Sequence, residues 1–182
     1  MSKKYRFSDR EIENAILSAK NAYKGTILVD DWLNFFVAMD RGGVPDAFAK
    51  DQLAKGLGAL MAADVVDLGK AKAIYYAAFP KEGSGAPDPR CVSTPEHGGK
   101  PLRWIQRSTA YHAGDITVSQ IGASKRRAEA SDHGPLFHQR WDFADKLGNL
   151  VSMRYISLGA ALAIYHMAFP EEGKKEEAKC SK

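Results

Sequence analysis

Ser108, Thr109, His112 and Asp115 are the residues of this chain whose types and spacing come nearest to nucleophilic catalysis. On a helix, Ser108 and His112 would lie one turn apart, within reach of each other as a hydroxyl nucleophile and its general base must be. No sequence signature of an activated serine surrounds them. We therefore expect a protein that is not an enzyme, and we keep catalysis by Ser108 and His112 as the least favoured alternative.

Histidine and cysteine side chains are too scattered to predict a metal site. His133 and His138 are separated by a break that contains Pro135, so they do not share one helix face. Cys91, His97 and His112 match none of the compact ligand spacings of zinc sites. The sequence predicts neither a metal nor another cofactor.

Basic side chains give the strongest functional signal. Lys125, Arg126 and Arg127 lie on a predicted helix that is followed, after a short break, by another helix, which is the gross layout of a helix-turn-helix. The planar guanidinium group of arginine suits phosphates and carboxylates. We predict a surface for nucleic acid or another anionic partner that is formed by Arg103, Arg107, Lys125, Arg126, Arg127 and Arg140.

A repeated segment indicates how these residues are positioned. Residues 68–83, LGKAKAIYYAAFPKEG, recur as residues 158–173, LGAALAIYHMAFPEEG, with eleven of sixteen positions identical. Such self-similarity at a fixed offset is typical of duplicated architectures. The sequence predicts a tandem duplication of a repeat of about seventy residues, spanning roughly 12–83 and 101–173.

Helix-capping and helix-breaking residues predict four helices in each repeat. Ser8 and Glu11 form a capping box before the first helix. We expect Asp30 and Ser119 to cap the second helices, Pro45 and Pro135 to lie in the first turn of the third, and Pro80 and Pro170 to end the fourth. The buried side of the third helix is predicted to include Phe48, Leu53, Leu57, Leu60 and Met61 in the first repeat and Phe137, Trp141, Ala144, Leu147 and Val151 in the second.

These elements predict an all-α protein in which the two four-helix repeats pack as a pseudo-twofold dimer. Short β-hairpins near residues 64–76 and 154–165 are an alternative, since Val65, Val66, Tyr155 and Ile156 favour strands. The expected organisation is a first repeat with an N-terminal extension (1–83), a linker rich in proline and glycine (84–100), a second repeat (101–173) and a disordered charged tail (174–182).

The two repeats differ in charge. Residues 12–68 carry five Lys or Arg and eight Asp or Glu, whereas residues 101–158 carry eight and five. We propose from this contrast that the basic second repeat engages nucleic acid or a nucleoprotein complex. An alternative is a protein-binding inhibitor or adaptor that acts through Asp30, Asp31, Trp32 and Phe35 of the first repeat.

Size, duplication, helical character and the lack of an evident active site give the chain a profile that is similar to that of the small inhibitors used by phages and mobile elements against bacterial defence complexes, such as the effectors of CRISPR-Cas. The similarity is one of profile and is carried by no motif. For the alternative function it implies a protein antagonist of such a complex.

Composition restricts the compartment and the partners. The chain has 182 residues, 45% of them apolar, with a net charge of +4 and two cysteines. Two cysteines are too few for a disulfide framework, and no apolar run reaches the eighteen or so residues that span a bilayer. We expect a soluble cytoplasmic protein with no targeting segment and no membrane partner, and the composition leaves its oligomeric state open.

Overall fold

The structure is a computed structural model that describes residues 7–25, 40–44 and 46–174. Every regular element in these ranges is helical, and none of the described residues lies in a strand. The all-α prediction is confirmed. Among the described residues, no helix combines the length and apolar character that crossing a bilayer requires.

Seven helices have defined bounds in the described part of the chain. They are α1 (Asp9–Tyr23), α2 (Ala47–Ala62), α3 (Leu68–Ala78), α4 (Gly99–His112), α5 (Val118–Ser131), α6 (Phe137–Ser152) and α7 (Leu158–Ala168). The bounds of α6 and α7 follow those of α2 and α3 at an offset of ninety residues. The second helix predicted for the first repeat falls largely in 26–39, and Pro45 and the tail residues 175–182 also lie outside the described residues.

Local capping chemistry explains several helix ends. The Ser8 side chain accepts a hydrogen bond from the Glu11 amide, and the Glu11 carboxylate accepts one from the Ser8 amide, so the predicted capping box is confirmed. α3 ends at Ala78 and α7 at Ala168, each two residues before the proline predicted to end it. Proline lacks the amide that would continue the helical hydrogen bonds.

The hairpin alternative is wrong. Residues 68–78 and 158–168 are helical, and the strand-favouring residues before them belong to turns that close the preceding helices. After α2, the Val65 amide donates to the Leu60 carbonyl, and after α6, the Tyr155 amide donates to the Leu150 carbonyl. These bonds define Schellman motifs. The hydrogen bonds that close the helix end stabilise these turns more than the strand propensity of the side chains would stabilise a hairpin.

Three local predictions are wrong in detail. The cap of α5 is Thr117 rather than Ser119, because Thr117 forms a reciprocal capping box with Gln120. Pro135 lies in the turn before α6, which begins at Phe137. Phe48 is exposed, although it shares a helix with the buried residues predicted beside it.

The chain divides into two compact units, Met1–Tyr75 and Tyr76–Lys182. In the first unit α1 packs on α2, and the close approach occurs where Gly58 faces Ala19. A Cβ atom on Gly58 would lie 2.4 Å from the Ala19 Cβ, so glycine is needed at this crossing. Lys72 adds an ion pair with Glu13 at 3.1 Å.

In the second unit α4 packs on α6, α7 packs against both, and α5 packs against α4. The core of this unit includes Ile105, Phe143, Leu147, Leu150 and Ile164. α5 is held differently, since Ala128 is its one buried residue. In this unit α4 is therefore fixed by its packing on α6 and α7, whereas α5 lies beside α4 with most of its surface exposed to solvent.

The segment before α4 has no regular secondary structure, yet part of it is packed. The Ser157 amide donates to the Pro89 carbonyl at 2.8 Å, and the Ser157 hydroxyl donates to the Val92 carbonyl at 2.6 Å. Gly159 lies so close to Ser93 that a Cβ atom would come within 2.1 Å of the Ser93 carbonyl oxygen. Residues 89–93, which belong to the predicted linker, thus lie against the start of α7.

Candidate functional site

A groove between α4 and α5 collects three of the six cations that the sequence singled out. Its volume is about 180 Å³. Its lining consists of Lys100, Arg103, Trp104 and Arg107 on α4, Ser124, Arg127, Ala128 and Ser131 on α5, and Trp141 on α6. We call it the basic groove. It brings Arg103 and Arg107 of α4 together with Arg127 of α5. The two helices are consecutive elements joined by a tight turn.

The turn between α4 and α5 sets the geometry of the groove. Gly114 has a φ of 84°, and the Asp115 amide donates to the Ala110 carbonyl, which closes α4 in a Schellman motif. The Thr117 capping box then starts α5 at once. Because only five residues separate the helices, α5 must return alongside α4, and the basic residues of both helices can border the same space.

Spacing along each helix selects which side chains line the groove. Lys100, Arg103 and Arg107 stand at positions i, i+3 and i+7 of α4, which share one face of a helix. On α5, Ser124, Arg127 and Ser131 repeat the same spacing. Between these two rows lie the rings of Trp104 and Trp141, with centroids 5.7 Å apart.

The groove is strongly cationic. Four of its lining residues are Lys or Arg, and none of the described lining residues is Asp or Glu. Within the described part of the chain, no carboxylate pairs with Arg103, Arg107 or Arg127. Lys100 Nζ lies 3.4 Å from the Ser131 carbonyl at the C-terminus of α5, where the helix dipole favours a cation. The like charges repel one another, and an anion in the groove would relieve that repulsion.

Lys125 and Arg126 flank the groove and do not line it. Lys125 Nζ lies 3.4 Å from the Asp142 carboxylate, an exposed pair of small energetic value. Arg126 is exposed on α5 and passes over Gly122. Both add to the positive potential on this side of the second unit.

Arg140 lies in a different environment from the other predicted cations. Its guanidinium group pairs with Asp132 at 2.8 Å and with Glu172 at 2.6 Å, and Glu172 also accepts a hydrogen bond from the Tyr165 hydroxyl at 2.9 Å. Burial and the adjacent Glu172 carboxylate raise the pKa of Tyr165, which keeps its proton on the hydroxyl. Arg140 thus connects three segments of the unit, and it does not line the groove.

The hydroxyl cluster considered for catalysis has the geometry of a structural network. The Ser108 hydroxyl donates to Asp145 Oδ1 at 2.5 Å, and His112 Nε2 lies 3.0 Å from the same oxygen. The Ser108 side chain is therefore directed at a carboxylate instead of an imidazole, and the residue is only 2% exposed. Thr109 donates to the Ile105 carbonyl within its own helix, and Asp115 lies in the turn after α4.

The carboxyl group of Asp145 is ionised in this network. Burial opposes ionisation of the carboxyl group, but the hydrogen bonds from His112 and Ser108 outweigh burial, and the pKa of Asp145 lies below its ordinary value. The negative charge accepts both hydrogen bonds at the crossing of α4 and α6. No group of three or more His, Cys, Asp or Glu side chains among the described residues is arranged to hold a metal ion.

Asp30, Asp31, Trp32 and Phe35, the predicted protein contact, lie outside the described residues. Sequence reasoning missed Lys100, Trp104 and Trp141 as groove residues. Lys100 was assigned to the linker, although Pro101 is a signal for the first turn of a helix and the spacing 100, 103, 107 follows from that start. Trp104 had no such signal, and Trp141 was predicted only as part of the core.

Comparison of the chain with protein-family models, curated proteins and solved structures gave no match.

Proposed function

We propose that this protein is a non-enzymatic binding protein whose second unit engages nucleic acid, or the nucleic acid of a nucleoprotein complex, through the basic groove. The observation that carries the proposal is the groove itself, where Lys100 and three arginines that pair with no carboxylate among the described residues surround one cavity. Phosphate groups supply the negative charge that this lining lacks. The guanidinium fork matches two oxygens of one phosphate in a fixed planar geometry, which a single ammonium group does not provide.

Exposure of the cations supports a binding role over a structural one. Arg103, Arg107 and Arg127 are exposed, and their charges stabilise no ion pair among the described residues. Arg140, in contrast, is engaged by two carboxylates and is left out of the proposed surface. The proposal therefore rests on Lys100, Arg103, Arg107 and Arg127, with Lys125 and Arg126 contributing through their longer-range field.

Specialisation of the second unit also supports this function. We take the chain to be a tandem duplication of one helical repeat. We match the helix crossing at Gly58 with the crossing at Gly148, which pairs Ala19 with Ser108. The α4 cations at 100, 103 and 107 then correspond to Glu11, Asn14 and Ser18 of α1. The α4 cations are thus a property of one copy, as expected when duplication leaves one copy free to acquire a new partner.

The test is fluorescence-anisotropy binding of short DNA and RNA at roughly 50 and 200 mM salt. Three to four phosphate contacts on a single strand predict that affinity falls roughly 20- to 50-fold between these concentrations. Arg127→Glu should weaken binding about tenfold or more at the lower salt, because it replaces a phosphate contact by a repulsion. The thermal unfolding midpoint should change little, since Arg127 has no ion pair with a described residue to lose.

Arg126→Glu is the matched control. It makes the same change of charge on the neighbouring residue of α5, but Arg126 does not line the groove. We expect a loss of less than about threefold, which reflects the general field alone. Equal losses in the two variants would place the contact elsewhere, and absence of binding at the lower salt would overturn the proposed function.

A further inference from the structure

The usual spacing of neighbouring helices makes the basic groove narrower than a duplex. Adjacent helices pack with axes about 8–10 Å apart, whereas the major groove of B-form DNA alone is about 12 Å wide. The cavity between α4 and α5 measures about 180 Å³. A double helix can therefore touch only its rim, whereas a single strand can enter.

Cations stand on both walls of the groove, which also favours a strand that lies within it. Arg103 and Arg107 line the α4 wall, and Arg127 lines the α5 wall. From Lys100 to Arg107 the helix rises about 10 Å, a length over which one strand presents about two or three phosphates, the larger number at the duplex spacing of about 3.4 Å per nucleotide. A strand that follows α4 could meet the α4 cations in succession and Arg127 from the opposite side.

The floor of the groove is aromatic. Trp104 and Trp141 are 7% and 6% exposed, and both line the groove. Their rings are tilted by 54° relative to each other, and Trp104 also meets Phe137 edge-on. Because only a small part of each ring is accessible, a nucleobase would cover the exposed part of this floor and stack mainly on a guanidinium plane, whereas a phosphate-only ligand does neither.

We propose that the groove binds a single strand of nucleic acid, with phosphates held between the arginines of α4 and Arg127 of α5 and with one base seated against Trp104 and Trp141. This inference rests on the proposed function and specifies its ligand. The hydroxyl groups of Ser124 and Ser131 are in the same lining and can accept hydrogen bonds from a base edge or, in RNA, from the ribose 2′-hydroxyl. DNA and RNA share the phosphates and bases that this arrangement would recognise.

Four oligonucleotides of equal length test the proposal: single-stranded DNA, single-stranded RNA, the DNA duplex of the same sequence, and an abasic strand that keeps the sugar-phosphate backbone but has no bases. We expect at least one of the two single strands with bases to bind about tenfold tighter than the abasic strand, the gain that base–aromatic contact typically gives. The same strand should bind about tenfold tighter than the duplex. The preference between DNA and RNA identifies the natural form of the ligand.

Tryptophan fluorescence supplies an independent readout. The chain has three tryptophans, so in a Trp32→Phe background only Trp104 and Trp141 emit. The tighter-binding single strand with bases should quench this emission at saturation, and the abasic strand should bind with much weaker quenching. Arg127→Glu should raise the concentration of this strand that is needed for half-maximal quenching about tenfold or more.

Two results separate failure of this inference from failure of the proposed function. If the duplex or the abasic strand binds as tightly as the single strands with bases, the groove contacts phosphates alone, and the single-strand inference is overturned while nucleic-acid binding stands. If no oligonucleotide binds at roughly 50 mM salt, where phosphate contacts are strongest, both are overturned.

Discussion

Replacing Gly148 by alanine should destabilise the second unit, although alanine is the better helix former. Gly148 lies where α6 crosses α4. A Cβ atom at this position would come within 2.5 Å of the Ser108 Cβ, 2.7 Å of its hydroxyl oxygen and 2.8 Å of the Thr109 amide nitrogen. Carbon atoms in contact normally stand about 3.5–4.0 Å apart, so the helices would have to separate by roughly 1 Å.

The expected magnitude follows from three opposing effects. Gly→Ala in a helix interior gains about 1 kcal/mol. Overpacking of a core contact costs about 1–3 kcal/mol, and a backbone nitrogen cannot rotate away from the new methyl group. Separation of the helices also weakens the hydrogen bond from Ser108 to the Asp145 carboxylate, a type worth about 1.5–3 kcal/mol. The net loss should be about 1–3 kcal/mol.

Gly122→Ala in α5 is the matched control. A Cβ atom there meets only the Arg126 guanidinium, at 3.5 Å, which is ordinary contact. This variant should gain about 1 kcal/mol from helix propensity alone. Urea unfolding followed by far-ultraviolet circular dichroism measures both free energies. If Gly148→Ala stabilises the protein as much as Gly122→Ala does, the close crossing of α4 and α6 is refuted.

Two further predictions concern the backbone and pH. Arg154 has a φ of 64° at the end of α6, a conformation that costs a non-glycine residue about 1–2 kcal/mol. Arg154→Gly should therefore stabilise the protein by about 0.5–1 kcal/mol, net of the entropy that glycine adds to the unfolded chain. An unchanged or lower unfolding midpoint would contradict this prediction. Burial opposes ionisation of Asp132 and Asp145, yet the pKa of each carboxyl group is lowered in the folded chain. Asp132 accepts hydrogen bonds from the Gly134 amide and from Arg140, and Asp145 accepts them from His112 and Ser108. The two carboxylates therefore stabilise the folded state fully at pH values above their unfolded pKa of about 3.9. This stabilisation is lost as the pH falls through their lower folded-state pKa values, by at most about 1.4 kcal/mol per pH unit for each group. Urea unfolding between about pH 6 and 2.5 should show a shallower acid decline for Asp145→Asn, and identical profiles for the variant and the parent chain would count against the Asp145 network.

Local chemistry made much of the fold predictable. The Ser8 capping box and the ends of α3 and α7 before Pro80 and Pro170 depend on residues a few positions apart, so they can be inferred from the chain alone. The same local view failed where two local preferences compete. Tyr155 has strand propensity, yet its amide closes α6, because the helix end gains a hydrogen bond there.

The candidate site was predictable only in part. The arginines at 103, 107 and 127 were recognised by residue type and by their position on helices, and the structure brings them together in the basic groove. Lys100 was missed because it stands at a helix start that has no capping side chain. The aromatic floor could not be inferred, since nothing in the local sequence indicates that Trp104 and Trp141 meet beneath the cations.

The sequence by itself determined that this chain forms helices, where most of them begin and end, and that its second half concentrates positive charge. Tertiary structure decided which charges are available to a ligand. Arg127 and Arg140 are equivalent in type and both lie on helices, but Arg140 meets Asp132 and Glu172, whereas Arg127 faces the groove with no carboxylate in its lining. Helical periodicity fixes the direction of a side chain around its own axis, but the partner that it meets depends on how separate segments cross, which is set by packing between residues distant in sequence.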